Sequence, residues 1–180
     1  MQVQKSVQLQ MVALLPRLRR FALGLTGTLD RADDLVQATC ERAIRVIDRF
    51  VPGTRLDSWM FKIMHNLHRN ALRDRATEGR YLTGGMPEAD CPLDGARAME
   101  ASLTLSATQR ALETIDADQR EVLMLIAVEG FSYQEAASIL ELPMGTVTSR
   151  LARARARLRG ALDLEDGDQV VASRGVAPGA

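Results

Sequence analysis

Aromatic residues are scarce in this 180-residue chain, at 4%, and no stretch alternates apolar and polar side chains long enough to make a half-buried strand. That excludes most β-rich architectures and leaves an all-helical fold as the expectation. Cysteine occurs twice, at Cys40 and Cys91, without the CxxC spacing of a zinc site or a redox pair, so a disulfide scaffold is excluded and two reduced thiols are expected. No apolar run approaches the roughly 20 residues that span a bilayer. The opening Met1-Gln2-Val3-Gln4-Lys5 also lacks a signal peptide's apolar middle, so the expected place is the cytoplasm, without membrane insertion. No pairing of nucleophile and base, no phosphate loop and no metal constellation stands out, so neither catalysis nor a cofactor nor a metal is expected. His65 and His68, three residues apart, have no carboxylate or cysteine near them in sequence. Solvent or phosphate contact is the expectation for both.

Net charge is lacking too, with 23 basic and 23 acidic residues, but the balance arises by cancellation between regions. Residues 1–76 hold 13 Lys and Arg against 7 Asp and Glu, whereas 77–106 hold 2 against 5 and 163–180 hold 1 against 4. Residues 107–162 balance at 7 and 7, yet every acid there lies at or before Glu141, while Arg150, Arg153, Arg155, Arg157 and Arg159 follow without an acid between them. A basic row of that kind on one helix fits either the electrostatic footprint of a nucleic-acid binder or the solvated face of an ordinary bundle's closing helix.

Three helices are expected in the first segment. Leu14, Leu15, Leu18, Ala22 and Leu25 mark one face of the first, from Met11 to Leu25, with Gly27 as its stop. Leu35, Ala38, Thr39, Ala43, Val46 and Ile47 mark a second, from Asp30 to Phe50, closed by Pro52-Gly53. Ser58 is the expected cap of a third, running to about Arg75, with Trp59, Ile63, Leu67, Asn70 and Ala71 inward and Lys62, Arg69 and Arg73 elsewhere. Between 77 and 106, glycines, prolines and acids break every period, so a flexible linker is expected. Helical pattern resumes at Leu105–Thr114 and at Ala117–Glu129, the latter ending on Gly130.

Ser132-Tyr-Gln-Glu135 fits a capping box, and Glu141-Leu142-Pro143 forces a turn after Leu140. Val147, Leu151, Ala154, Leu158 and Leu162 then recur at spacings of four, three, four and four, so one face of the last helix is buried and its arginines lie elsewhere. Two helices joined by so short a turn predict a helix-turn-helix, whose second helix fits a DNA major groove. Arg150, Arg153 and Arg157 can grip base edges or phosphates in a planar fork, with Thr146, Thr148 and Ser149 adding shorter contacts.

In both segments the sequence resembles the extracytoplasmic-function group of bacterial sigma factors. Gly130-Phe-Ser-Tyr-Gln-Glu-Ala-Ala137 and Leu142-Pro-Met-Gly-Thr-Val-Thr-Ser-Arg-Leu-Ala-Arg-Ala-Arg155 resemble the family's reader of the minus-thirty-five promoter element. Asp33-Asp-Leu-Val-Gln-Ala-Thr39 and the residues onward to Phe50 resemble its polymerase-docking helix, and Arg55-Leu-Asp-Ser-Trp-Met-Phe61 through Arg75 resembles its minus-ten segment. Leu15-Pro-Arg-Leu-Arg-Arg-Phe21 and Arg49-Phe-Val-Pro-Gly-Thr54 are most similar to the general-stress-response branch of alphaproteobacteria. Two residues depart from the family pattern: Ala38, where many members carry Glu, and Thr148, where many carry a basic residue.

The resemblance implies two small helical domains, 1–76 and 107–162, around the linker 77–106, with a disordered acidic tail at 163–180. It implies core RNA polymerase as partner, through its beta' clamp and beta flap, together with promoter DNA and an anti-sigma factor, and a place on the nucleoid when active. Asp33, Asp34, Gln37, Glu41, Arg42 and Arg45 become the candidate polymerase contacts. Arg55, Trp59, Lys62, Asn66, Arg69 and Arg73 become the minus-ten candidates, although the period of Trp59 also suits core packing. Thr146, Thr148, Ser149, Arg150, Arg153 and Arg157 become the minus-thirty-five candidates. The competing reading is a sigma-like interaction protein that titrates an anti-sigma factor without binding DNA.

Overall fold

The structure, a computed structural model, describes residues 2–78, 111–112 and 114–173. Most of the expected linker and nearly all of the expected helix at Leu105–Thr114 lie outside the described residues. Among those described, every regular element is helical.

The first helix, α1 (Gln2–Thr26), begins well before Met11 and carries Pro16 inside it. It stops as the sequence indicates: Gly27 adopts a φ of 77° while its amide donates to the Leu23 carbonyl at 2.9 Å. The second, α2 (Leu29–Arg45), is shorter than expected, because the chain tightens into a three-residue 3-10 turn at Ile47–Arg49 before reaching Pro52. The third, α3 (Leu56–Glu78), starts two residues before Ser58, so Ser58 lies inside the first turn and is not its cap. Asp57 occupies that turn instead and accepts the Ser58 amide at 2.8 Å. Its buried face also differs from the expectation: Leu56, Met60, Phe61, Met64 and His65 are buried, Trp59, Ile63 and Leu67 flank them, and Asn70 and Ala71 are exposed. Reading a single stripe missed this because α3 is covered on two sides, by α1 and α2 and by the second half of the chain.

That second half begins with α4 (Ala117–Leu123), which widens into one π turn at Met124–Val128, where the Glu129 amide donates to the Met124 carbonyl at 3.0 Å. Gly130, at φ 76°, ends it. The short α5 (Tyr133–Leu140) opens on the capping box foreseen at Ser132 and Glu135. The last helix, α6 (Met144–Ser173), continues past residue 162 into the segment expected to be disordered. Acids alone do not break a helix, and no proline intervenes before Ser173.

The buried side chains of the two halves form one continuous cluster. Phe61 of α3 stands edge-on to Phe21 of α1 at 5.0 Å and to Phe131, ahead of α5, at 5.1 Å. Such pairs add about 0.5–1.5 kcal/mol beyond their burial. Gly24 of α1 lets Met124 come so close that an added Cβ would lie 2.5 Å from the Met124 Cε. The two halves therefore meet along α1, α3, the π turn and α5.

Candidate nucleic-acid interface

The helix-turn-helix is assembled by α5 and α6. Ser132 Oγ accepts the Glu135 amide at 3.2 Å while Glu135 Oε2 accepts the Ser132 amide at 2.8 Å, which fixes where α5 starts. Its end is set by Glu141 in the left-handed conformation, φ 55°, with Pro143 preventing continuation. Val147, Leu151 and Ala154 are buried and Leu158 packs against them, as the spacing predicts.

The five arginines of α6 divide into two sets. Arg150 and Arg157 turn toward α4: Arg150 pairs with Asp118 at 2.6 Å and leaves only 26% of its side chain exposed, while Arg157 pairs with Asp116 at 2.9 Å. Arg153, Arg155 and Arg159 are exposed, as are Thr148 and Ser149. The side of α6 away from its buried stripe is thus formed by Ser149 and Arg153, whereas Arg150 and Arg157, expected to face outward with them, lie on the flank. Thr146 is half-buried, and the hydroxyls of Thr148 and Ser149 donate to carbonyls of α6's own first turns, at Met144 and Thr146.

The candidate minus-ten residues also split. Asn66, Arg69 and Arg73 stand exposed along the distal part of α3. Arg55 and Lys62, nearer its start, are engaged by acids of the second half. Lys62 Nζ lies 2.9 Å from Glu141, and Arg55 pairs with Glu135 and Asp57 while lying 5.2 Å over the Phe131 ring. Both glutamates are held below their ordinary range, Glu135 by the Ser132 amide and hydroxyl and then Arg55, Glu141 chiefly by the bond from Lys62. Trp59 is half-buried and packs at a tilt on Phe50, centroids 5.3 Å apart. With Ser58, Lys62, Glu135, Ser138 and Ile139 it lines a cleft of about 210 Å³ between the halves.

On α2, Asp33, Asp34, Gln37, Glu41, Arg42 and Arg45 are all exposed, on the side away from buried Ala32, Thr39 and Ala43. Gln37 donates to Glu41 at 3.1 Å, and Asp33 pairs with Arg19 at 2.7 Å. His65 departs from the expectation of solvent or phosphate contact: it is buried, with Nδ1 2.8 Å from Glu121 Oε1. A residue between Met64 and Asn66 carries no sign in sequence of the partner that folding brings from 56 positions away.

Sequence reading also missed the polar centre of the contact between halves. Glu129, its side chain fully buried, accepts from Arg17 Nε at 3.0 Å and from Arg20 Nε at 2.9 Å, and its carbonyl accepts from Arg17 Nη2 at 3.0 Å. The available signal was an acid closing the apolar run of 122–128, directly before Gly130.

Asp57 is the strongest electrostatic probe of this region. Burial pushes its carboxyl up, but hydrogen bonds from Arg55, the Ser58 amide and Arg17 outweigh burial and hold it at about 2. A carboxylate with a depressed folded pKa stabilises above its unfolded value, roughly 3.9, and that stabilisation is lost as pH falls through the folded value. The stability difference between the wild-type chain and Asp57→Asn should therefore be full at pH 5–7 and shrink between about pH 4 and 2. Denaturant titrations across that range test it, and an equal difference at pH 2 and pH 7 would assign the effect to shape.

The family described as Sigma-70, region 4 matches residues 105–158, and the family described as the Sigma2 domain of PhyR matches residues 11–65. The ECF RNA polymerase sigma factor EcfG of Rhodopseudomonas palustris is 40% identical over 157 residues, covering 87% of this chain and 85% of that protein. The RNA polymerase sigma factor CnrH of Cupriavidus metallidurans is 33% identical over 163 residues, covering 86% and 83%. Among solved structures, the sigma factor RpoE in complex with the anti-sigma factor NepR, from Bartonella quintana, superposes with a TM-score of 0.78 at 37% identity, covering 88% of this chain and 98% of that one.

Proposed function

The chain belongs to the extracytoplasmic-function RNA polymerase sigma factors of the sigma-70 family, non-enzymatic initiation factors that bind core polymerase and direct it to promoters, and from that premise we propose which surfaces do the work. Among the described residues, no helix is long and apolar enough to cross a membrane. The second half, within residues 107–162, reads the minus-thirty-five element with α6 in the major groove. The first half, within residues 1–76, holds the separated minus-ten strand along α3 and docks on the beta' clamp through α2, while the beta flap receives the second half.

The observation that carries the promoter reading is the exposed side of α6. Ser149 and Arg153, one turn apart, stand where base edges would meet them, and no acid lies between them in sequence. Arg153 takes the base-reading role, since Arg150 is turned aside onto Asp118. Asn66, Arg69 and Arg73 suit a single strand, which is gripped by cations and by groups that reach unstacked bases. The chain serves the general-stress-response branch and answers to an anti-sigma factor, a reading supported by the likeness to the RpoE of the NepR complex.

Run-off transcription with purified core polymerase on genomic fragments, with and without this chain, tests the reading and yields the promoters. New initiation sites are expected only with the chain present. On such a promoter, Arg153→Ala should cost about 1–3 kcal/mol in binding and relax preference at one upstream position. A uniform loss across sequences, with a salt slope flatter by about one unit, would make Arg153 a phosphate contact.

Asp34→Ala or Gln37→Ala should weaken co-purification with core polymerase while leaving thermal stability at the wild-type value, because both side chains are exposed and neither belongs to the core. Undiminished co-purification would remove these positions from the clamp surface.

A further inference from the structure

Two ion pairs bind α6 to the start of α4. Arg150 and Arg157, seven residues apart, lie on the same flank of the helix, two turns from one another. Opposite them are Asp118, in the first turn of α4, and Asp116, the residue before it. Arg157 Nη1 also reaches the Thr114 carbonyl at 3.4 Å. Both acids keep more than half of their side-chain surface exposed, at 68% for Asp118 and 56% for Asp116.

We propose that Asp118 and Asp116 are positioning residues for promoter recognition. Their pairs with Arg150 and Arg157 brace the reading helix at two points along its length and so set the angle at which Ser149 and Arg153 are presented. Two points two turns apart resist rotation of α6 about an axis across α4, which a single pair would permit. The exposed carboxylates have a second effect. Paired with Arg150 and Arg157 they leave this flank electrically neutral, so it does not draw phosphate oxygens as the Arg153 side, unpaired among the described residues, does.

The inference rests on the assignment of Arg153 as the base-reading residue, and the test separates the two. The full chain is titrated against its native promoter, found by run-off transcription, and against single-substituted promoters, at several salt concentrations. Asp118→Ala removes a negative charge beside the DNA-binding helix, so electrostatics alone would tighten binding. The brace instead predicts that specific binding weakens about three- to tenfold, with discrimination lost at the position read by Arg153 and the salt slope unchanged. Arg150→Ala should give the same defect, the double variant no more than either single one, and Asp118→Glu should restore most of the binding. Tighter binding by Asp118→Ala, or a salt slope flattened by about one unit in Arg150→Ala, would show that Arg150 contacts DNA and would overturn the brace. Wild-type discrimination in Arg153→Ala would instead sink the base-reading assignment alone, and the comparison of Asp118→Ala with Arg150→Ala would still decide the brace.

Discussion

Replacing Phe61 with Ala is expected to cost about 4 kcal/mol of folding stability, within the range for truncating a buried aromatic side chain. Phe61 is fully buried and stands at the centre of the molecule, edge-on to Phe21 and Phe131, with the Arg17 guanidinium 5.5 Å from its ring centroid. Two aromatic pairs and one cation contact therefore vanish together, and the cavity lies at the seam where the halves meet. Urea titration followed by helical circular dichroism gives the value. A loss below about 1 kcal/mol would mean that the halves close over the gap, and that the seam is softer than its packing suggests.

Glu129→Ala should be nearly as damaging, at about 3 kcal/mol, for an electrostatic reason. Breaking a buried ion pair from one side strands the other partner, and here one carboxylate serves two arginines. Arg20 is about half exposed and can return to water, so the cost falls mainly on Arg17, which must keep Asp57 and the two aromatic rings without its principal acid. Glu129→Leu separates charge from volume. If burial of the site dominates, the leucine variant approaches wild-type stability, whereas if the carboxylate organises the seam, both variants open it and proteolytic cleavage between the halves accelerates. Wild-type stability and protection in Glu129→Ala would remove this residue from any account of the contact.

Much of the second half was legible in sequence because its signals are local. The capping box needs only Ser132 and Glu135, and the stripe of Val147, Leu151 and Ala154 needs only a period. The helix stops at Gly27 and Gly130 were legible for the same reason, since a backbone at positive φ selects glycine. The side toward which each arginine of α6 turns was not legible, because that choice depends on Asp116 and Asp118, acids more than 30 residues earlier that count as ordinary helix-start residues. Arg150 and Arg153 look alike in the row 150–159, and only the tertiary fold separates them. The start of α3 was misread because Ser58 is a good cap in isolation, yet Asp57 binds Arg55 and Arg17 better when it opens the helix. The seam was invisible for the same reason: Phe61, Phe131, Arg17 and Glu129 each have an ordinary local reading, and their common role arises only from contacts across more than 40 positions.

Arg55 and Lys62, minus-ten candidates on the sequence alone, already have anionic partners in Glu135 and Glu141. Those acids belong to the same folded molecule, so each carboxylate stays beside its cation at any protein concentration. DNA must outcompete an internal rival that never diffuses away. Stray single strands at low concentration lose that contest, whereas a promoter held nearby by bound polymerase is itself tethered and competes on equal terms. For any DNA that reaches Arg55 and Lys62, the chain's own glutamates would then set a threshold on its local concentration.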